Sequence, residues 1–367
     1  MILFQKKYFM LSRCCKLVAG LKRCVIIDYD RRDIYFISRE YFTLLEKMDR
    51  QEIEDIKKEI DKESMVFFEE FLLIMLKYEI GFLTDTPECF PKISEEDSID
   101  DYILLRNVII EIDPVFYDKE RFEILCRDLN DLRCQDFQIR LLSSFSFDFL
   151  AEIINIINST SANYIEIHCT YSTNLNMELL HSFIEMHALV SHLYIYGSPT
   201  TEVIEIVNNI PDRHPISLGN IYFINYSFDN GNCCGMITQE SLDYSDFYLH
   251  NQLKTRNGCL DRKITIDKFG NIKNCPSMKN EHGNIKDKSI KDVIQEEEFK
   301  KFWFINKDQI STCKVCEFRY NCTDCRAFLQ EPNDLYSKPL KCGYDPNTCQ
   351  WEDWSTNPLK KAGIYIN

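Results

Sequence analysis

The sequence predicts a mixed α/β protein with three parts: a small N-terminal α+β unit over residues 1–90, a central βα-repeat unit over residues 100–245, and a cysteine-rich C-terminal module over residues 250–355. Two observations predict this class. Strand-like and helix-like segments alternate through the middle of the chain at the spacing of a βα unit. Eight of the 17 cysteines lie between residues 259 and 349. A chain of 367 residues is also long enough for two or three domains.

The N-terminal unit combines two short strands with three helices. Apolar runs at 23–28 and 33–38 predict a hairpin, because a polar turn separates them. Segments 39–48, 51–62 and 65–78 predict helices, and Gly81 follows the third as a stop signal. The acidic segment 84–101 contains two prolines and predicts a linker.

The central unit predicts a parallel sheet that is covered by helices. The predicted strands lie at 102–112, 137–142, 164–169, 192–196 and 221–224. The predicted helices lie at 147–157, 175–189 and 201–210. Alternation alone does not separate a partial barrel from an open sheet, so both remain. The glycine patterns of dinucleotide and P-loop sites are absent from the sequence.

Composition and charge narrow the possible partners and location. Hydrophobic residues make up 45% of the chain and the formal net charge is −15, which indicates a folded protein and disfavours binding to nucleic acid or to an anionic membrane. Lys6, Lys7, Arg13 and Lys16 interrupt the apolar stretch that an export signal needs. We therefore expect a cytoplasmic protein, in which clustered cysteines bind metal more often than they form disulfides.

The first part of the cysteine pattern predicts a hairpin. Strand-like segments at 264–267 and 271–273 flank a turn that contains Gly270. Because a hairpin brings its two ends together, Cys259 and Cys275 are expected to be neighbours.

The second part is a pair of C-x2-C turns, Cys313–Cys316 and Cys322–Cys325, followed by Cys342 and Cys349. Two intervening residues make a loop tight enough to present both thiolates to one metal centre. This spacing alone fits one structural zinc on the four paired cysteines as well as it fits iron–sulfur ligation. Cys349 is expected to be a free thiol.

The complete pattern resembles the SPASM domain, a C-terminal extension of many radical S-adenosylmethionine enzymes that modify peptides. The resemblance implies two [4Fe–4S] clusters with interleaved ligands. One would use Cys313, Cys316, Cys322 and Cys342, and the other would use Cys259, Cys275 and Cys325 with an unresolved fourth ligand. The Cys322–Cys325 spacing is one residue shorter than the usual family pattern, and Cys233 and Cys234 lie far from the first cluster's cysteines in sequence.

The three-cysteine motif that binds the reducing cluster of radical S-adenosylmethionine enzymes, C-x3-C-x2-C, does not occur in the sequence. Residues 113–117 follow the first central strand, where that family places the motif, and they contain no cysteine. We therefore expect no S-adenosylmethionine site.

The N-terminal unit is similar to PqqD-like domains, which are winged-helix-like and capture a precursor's leader peptide as an added strand. The three parts together resemble the SPASM-domain maturases of "grasp-with-SPASM" systems. This resemblance implies a precursor peptide and an ATP-grasp ligase as partners in ribosomal peptide maturation. The chain itself is either a catalyst or a scaffold, and the missing S-adenosylmethionine ligands favour the scaffold. The alternative is a zinc-stapled protein, in which a structural zinc site stabilises a non-redox peptide-binding or scaffold protein.

Four other residues or groups of residues receive structural interpretations. His168 is expected to be a hydrogen-bonded core residue, and Cys14 and Cys15 are expected to fill the core. Cys233 and Cys234 are interpreted as a loop-packing pair. Aromatic residues are expected to pack over the cysteine module, namely Phe299, Phe302, Trp303 and Phe304.

Overall fold

A computed structural model describes residues 7–91, 103–173, 175–208, 214, 216–227, 237–239, 242 and 247–352. Within these residues the protein is mixed α/β, and its centre is a large, mostly parallel sheet. Cys233, Cys234 and most of the predicted linker lie outside the described residues. None of the described helices combines the length and the apolar composition that crossing a membrane requires.

The N-terminal unit contains a three-stranded antiparallel sheet, a separate two-stranded sheet and three helices. The predicted hairpin and the three predicted helices are all present. In chain order the elements are β1 (Tyr8–Leu11), β2 (Cys15–Ala19), β3 (Cys24–Asp28), β4 (Asp33–Ile37), α1 (Arg39–Met48), α2 (Ile53–Glu59), α3 (Met65–Lys77) and β5 (Gly81–Thr84). The strand order is β2-β3-β4 in one sheet, and β1 pairs with β5 in the other.

The central unit alternates strands and helices as the sequence predicts. Its elements are β6 (Asn107–Ile112), α4 (Lys119–Asp131), β7 (Asp136–Leu141), α5 (Phe147–Ile157), β8 (Tyr164–Thr170), α6 (Met177–Met186), β9 (Val190–Tyr196), β10 (Glu202–Asn208) and β11 (Ile216–Ile224). Side chains of Asp118, Ser146 and Asn176 cap the first turns of α4, α5 and α6 by accepting backbone N–H groups.

Two central elements differ from the sequence prediction. The predicted helix at 201–210 is wrong, because Glu202–Asn208 forms a strand antiparallel to β11. It is rich in β-branched residues, Val203, Ile204, Ile206 and Val207, which favour a strand. Helix α4, which precedes the second parallel strand, was not predicted at all.

The C-terminal module has short elements joined by turns. They are α7 (Phe247–Thr255), β12 (Lys263–Ile266), β13 (Ile272–Lys273), α8 (Ile290–Val293), α9 (Glu297–Lys300), β14 (Tyr344–Asp345) and β15 (Gln350–Trp351). The predicted hairpin is confirmed: β12 and β13 pair antiparallel, and Gly270 has a φ of +87° in the turn between them. Such a conformation strains any residue with a Cβ atom.

The hairpin also completes the central sheet. β12 pairs in parallel with β6, so the strand order is β10-β11-β9-β8-β7-β6-β12-β13. The first and last strands of this order, β10 and β13, do not pair with each other among the described residues, so the sheet does not close into a barrel. The sheet is therefore continuous between the central unit and the cysteine module.

The two faces of the sheet have different environments. Along β6, Val108, Ile110 and Ile112 join the main apolar core with helices α4 and α5. The intervening residues Asn107 and Ile109 face the cysteine module on the other side. Because side chains alternate along a strand, the face of the sheet that carries Asn107 and Ile109 lies against the cysteine module.

Candidate metal centre

Three of the predicted ligands line one cavity of about 290 Å³: Cys259, Cys275 and Cys325. Cys275 lies two residues after β13, and Cys259 lies in the turn between α7 and β12. The cavity also reaches the sheet through Gln138 and Arg140 of β7. The structure thus brings together residues that are up to 66 positions apart in the sequence, including Cys325 despite its shortened spacing.

A buried asparagine and a glycine hold Cys259 in place. Oδ1 of Asn257 accepts the backbone N–H groups of Cys259 and Leu260, at 3.0 and 2.9 Å. A Cβ atom on Gly258 would lie 2.7 Å from a methyl carbon of Leu253 and 3.3 Å from the carbonyl oxygen of Cys322. The absence of a side chain at Gly258 therefore lets the Cys259 turn pack against the Cys322–Cys325 loop.

Cationic side chains surround the first three cysteines. Nζ of Lys263 lies 3.8 Å from Sγ of Cys259, and Arg140 and Lys341 also line the cavity. The pKa of Cys325 is raised to about 11, mainly by burial and also by the nearby Cys259, and Lys341 acts in the opposite direction. Thiolates that bind a metal carry negative charge, so this cationic lining fits an iron–sulfur centre.

The other four predicted ligands form a second group: Cys313, Cys316, Cys322 and Cys342. Cys313 and Cys322 are buried, and the other two are half-buried. Burial is the main cause that raises the pKa of Cys322 to about 12, and the neighbouring Cys342 and Cys313 raise it as well. Burial also raises the pKa of Cys316 well above its ordinary value, with Cys322 and Cys313 adding to the shift. The four thiols are therefore close enough to influence one another's protonation.

The division of the seven cysteines between two clusters stays a prediction of the resemblance. The raised pKa values of Cys313, Cys316, Cys322 and Cys325 mean that these four thiols are protonated at neutral pH when no metal is bound. Metal binding would release these protons, so affinity should weaken as the pH falls.

A buried ion-pair network lies between the two groups and was not predicted from the sequence. Oδ1 of Asp324 accepts hydrogen bonds from Lys307 at 2.9 Å and from Arg326 at 2.8 Å. Nδ2 of Asn257 donates to Oδ2 of Asp324 at 2.7 Å. Burial alone would raise the pKa of Asp324, but the two cations keep it below its ordinary value. Asp324 is one of the two residues between Cys322 and Cys325. The network therefore fixes the position of the loop between these two cysteines.

The positions of the sulfur atoms bear on the zinc alternative. A tetrahedral zinc with bonds of about 2.3 Å places its sulfur ligands roughly 4 Å apart. Among the described residues, only Cys14, Cys15 and Asp28 form a set of three or more potential ligand groups whose atoms all lie within 4.8 Å of one another. Cys313, Cys316, Cys322 and Cys325 do not form such a set without a metal, so the metal content of the protein has to distinguish zinc from iron.

The N-terminal unit packs against the second cysteine group. Nε of Arg23 donates to the buried Glu317 at 2.6 Å, and Glu317 directly follows Cys316. The backbone N–H of Leu21 donates to the carbonyl oxygen of Val315 at 2.8 Å. A Cβ atom on Gly20 would lie 2.9 Å from Cβ of Glu317. The turn between β2 and β3 of the N-terminal unit therefore directly contacts the loop that carries Cys313 and Cys316.

Other residues that were singled out have structural surroundings. His168 is 4% exposed, and its Nδ1 lies 2.9 Å from the hydroxyl of Tyr196, which confirms a hydrogen-bonded core position. Cys349 packs against the apolar cluster that contains Cys322. Of the four aromatic residues, Phe302 packs with Cys275 and Cys313, whereas Phe299 and Trp303 join the main core and Phe304 is 46% exposed.

A comparison with protein-family models finds one matching family, SPASM, an iron–sulfur cluster-binding domain, over residues 259–317. This segment contains Cys259, Cys275, Cys313 and Cys316, whereas the last three predicted ligands lie beyond it. No curated protein matches the chain.

Three solved structures of SuiB from Streptococcus suis share a distant likeness with this chain. The structure bound to S-adenosylmethionine has a TM-score of 0.35 and 11% identity, covering 93% of this chain and 100% of SuiB. A second SuiB structure has a TM-score of 0.32 and 10% identity, and the one bound to the precursor peptide SuiA has 0.29 and 9%; each covers 90% of this chain and 98% of SuiB. These scores are too low to support a conclusion about function. What the comparisons establish is a match to the SPASM iron–sulfur cluster-binding domain over residues 259–317.

Proposed function

We propose that this chain is an iron–sulfur protein of ribosomal peptide maturation, which binds a precursor peptide and works with an ATP-grasp ligase that crosslinks it. The observation that carries the proposal is the match of residues 259–317 to the SPASM iron–sulfur domain, in a structure where Cys259, Cys275 and Cys325 line one cavity. Two [4Fe–4S] clusters bound there would supply one-electron chemistry or structural support. The protein's own residues would bury the clusters, balance their charge and link them to the N-terminal unit.

Metal content tests the proposal most directly. Protein purified without oxygen should be brown and should contain about eight irons and eight sulfides per chain, because each cluster holds four of each. Colorimetric iron and sulfide assays together with visible absorption check this. Colourless protein that contains stoichiometric zinc would instead establish the zinc-stapled alternative.

The chain alone should not cleave S-adenosylmethionine reductively. The sequence contains no C-x3-C-x2-C motif, which is the motif that binds the reducing cluster of radical S-adenosylmethionine enzymes. After incubation of dithionite-reduced protein with S-adenosylmethionine, chromatography should find no 5′-deoxyadenosine above the level in cluster-free protein. Reproducible formation above that control would contradict the prediction.

We further propose that residues 1–90 recognise the precursor peptide as a winged-helix-like, PqqD-like unit. β4 is an edge strand of its sheet, since β3 is its only strand partner among the described residues. The rings of Tyr35 on β4 and Tyr78 after α3 lie 5.7 Å apart, so this strand and the end of the helix are neighbours. An extended peptide that pairs with β4 would therefore lie beside α3.

Helix α3 presents an apolar stripe to solvent. Val66 and Phe67 are each 61% exposed, Leu73 is 57% exposed and Ile74 is 47% exposed. An apolar surface of this kind is typical of a site for a protein partner. The stripe fits the apolar side chains of a peptide that is held on the edge of β4.

A full-length double variant tests this surface. Phe67→Asp with Ile74→Asp should weaken binding of a labelled precursor peptide, encoded beside this gene, by more than about tenfold, since each buried apolar side chain contributes about 1.5–3 kcal/mol. Met186→Asp is the matched control, because Met186 is 69% exposed on α6 of the central unit. Fluorescence anisotropy measures both affinities. An unchanged affinity in the double variant, with iron content retained, would remove peptide recognition from this surface.

A further inference from the structure

The first cysteine group supplies three ligands, and a four-iron cluster has four irons to bind. We propose that Ser277 provides the fourth ligand through its Oγ atom, at the cluster that Cys259, Cys275 and Cys325 hold. This inference rests on the proposed function, because it requires a cluster in the cavity. It assigns a role to a residue that no motif in the sequence marks.

Ser277 is held beside Cys275 by a tight turn. The backbone N–H of Met278 donates to the carbonyl oxygen of Cys275 at 3.0 Å, so residues 275–278 form a β-turn. Pro276 occupies the second position of this turn, where its fixed φ is favourable, and Ser277 occupies the third. Ser277 and the three cysteines all line the same cavity.

The hydroxyl of Ser277 has no hydrogen-bond partner among the described residues, although its Oγ atom is buried. A buried hydroxyl without a partner is costly and uncommon in folded proteins. A bond from Oγ to iron would satisfy this atom. On binding, the hydroxyl would lose its proton to solvent, and the alkoxide oxygen would donate an electron pair to the iron.

The other oxygen-bearing residues of the cavity fit the role less well. The carboxylate of Asp324 is already bound by Lys307, Arg326 and Asn257. Oδ1 of Asn107 is also buried without a partner, but it is a neutral amide oxygen that cannot be deprotonated to an anionic ligand. The cations near Cys259 would balance the added negative charge of an alkoxide.

The test compares Ser277→Ala, Ser277→Cys and Asn107→Ala in the full chain after anaerobic reconstitution. With alanine, the fourth iron of this cluster would lose its protein ligand, so we expect a loss of up to about one iron per chain and the electron paramagnetic resonance signal of a three-iron cluster after mild oxidation. Ser277→Cys should retain all iron and raise the reduction potential of one cluster only, since thiolate replaces alkoxide. Asn107→Ala, which removes the other buried oxygen without a partner, should leave the iron content and the type of cluster unchanged, because an amide oxygen is not the ligand.

The outcomes separate this inference from the proposed function. Wild-type protein without iron and sulfide would overturn both. Wild-type protein with two clusters, together with a Ser277→Ala variant whose iron content, spectrum and potentials are unchanged, would overturn the role of Ser277 alone. Because Ser277→Cys preserves size and supplies a ligand, its retained iron would also show that any loss in the alanine variant is not a failure to fold.

Discussion

Replacing Cys275 with alanine should remove about four irons and four sulfides and leave the second cluster in place. Cys316→Ala should remove the other cluster instead. Cys342→Ala should behave like Cys316→Ala, although Cys342 lies 17 positions beyond Cys325, because the structure places Cys342 with Cys313 and Cys322. Iron and sulfide counts, with electron paramagnetic resonance of the reduced variants, distinguish the two groups.

The matched control for these variants is Cys126→Ala. Cys126 is a buried free cysteine in the main core, remote from the cysteine module in sequence, so its replacement should leave the metal content unchanged. Metal content should be compared only among variants that remain soluble, because metal binding contributes to folding. Full metal retention in both Cys275→Ala and Cys342→Ala would contradict two clusters and favour one site on the paired cysteines.

Asp324→Asn should strongly destabilise the cysteine module. The change removes the negative charge that compensates Lys307 and Arg326, whose side chains are 4% and 0% exposed. Breaking a buried ion pair by neutralising one partner costs about 3–5 kcal/mol, because the other charge remains buried without compensation. Thermal unfolding of the reconstituted protein, followed anaerobically by circular dichroism, should show a clearly lower midpoint than wild type.

The control for this change is Asp55→Asn, which neutralises an acid in an exposed pair with Lys58 at 2.7 Å. Exposed pairs contribute little, so its unfolding midpoint should match that of wild type. An Asp324→Asn midpoint equal to that of Asp55→Asn would show that the network between the two cysteine groups does not stabilise the module.

Local patterns in the sequence were sufficient for most of the elements. The boundaries of α1 and α5 agree with the prediction, since an apolar stripe follows a serine cap in each case. The hairpin around Gly270 follows from a glycine between two alternating segments. Strand β10 was missed because its segment can form either structure, and pairing with β11 decides between them.

By itself, the sequence determined the α/β class, the hairpin that holds Cys275 and the two C-x2-C turns, because each depends on residues a few positions apart. Only the tertiary structure placed Cys325 in the cavity of Cys259 and Cys275. Only the tertiary structure placed Asp324 against Lys307, joined β12 to the central sheet and left Oγ of Ser277 buried without a partner. These features arise from contacts between distant segments, and such contacts depend on how the whole chain packs rather than on local preference.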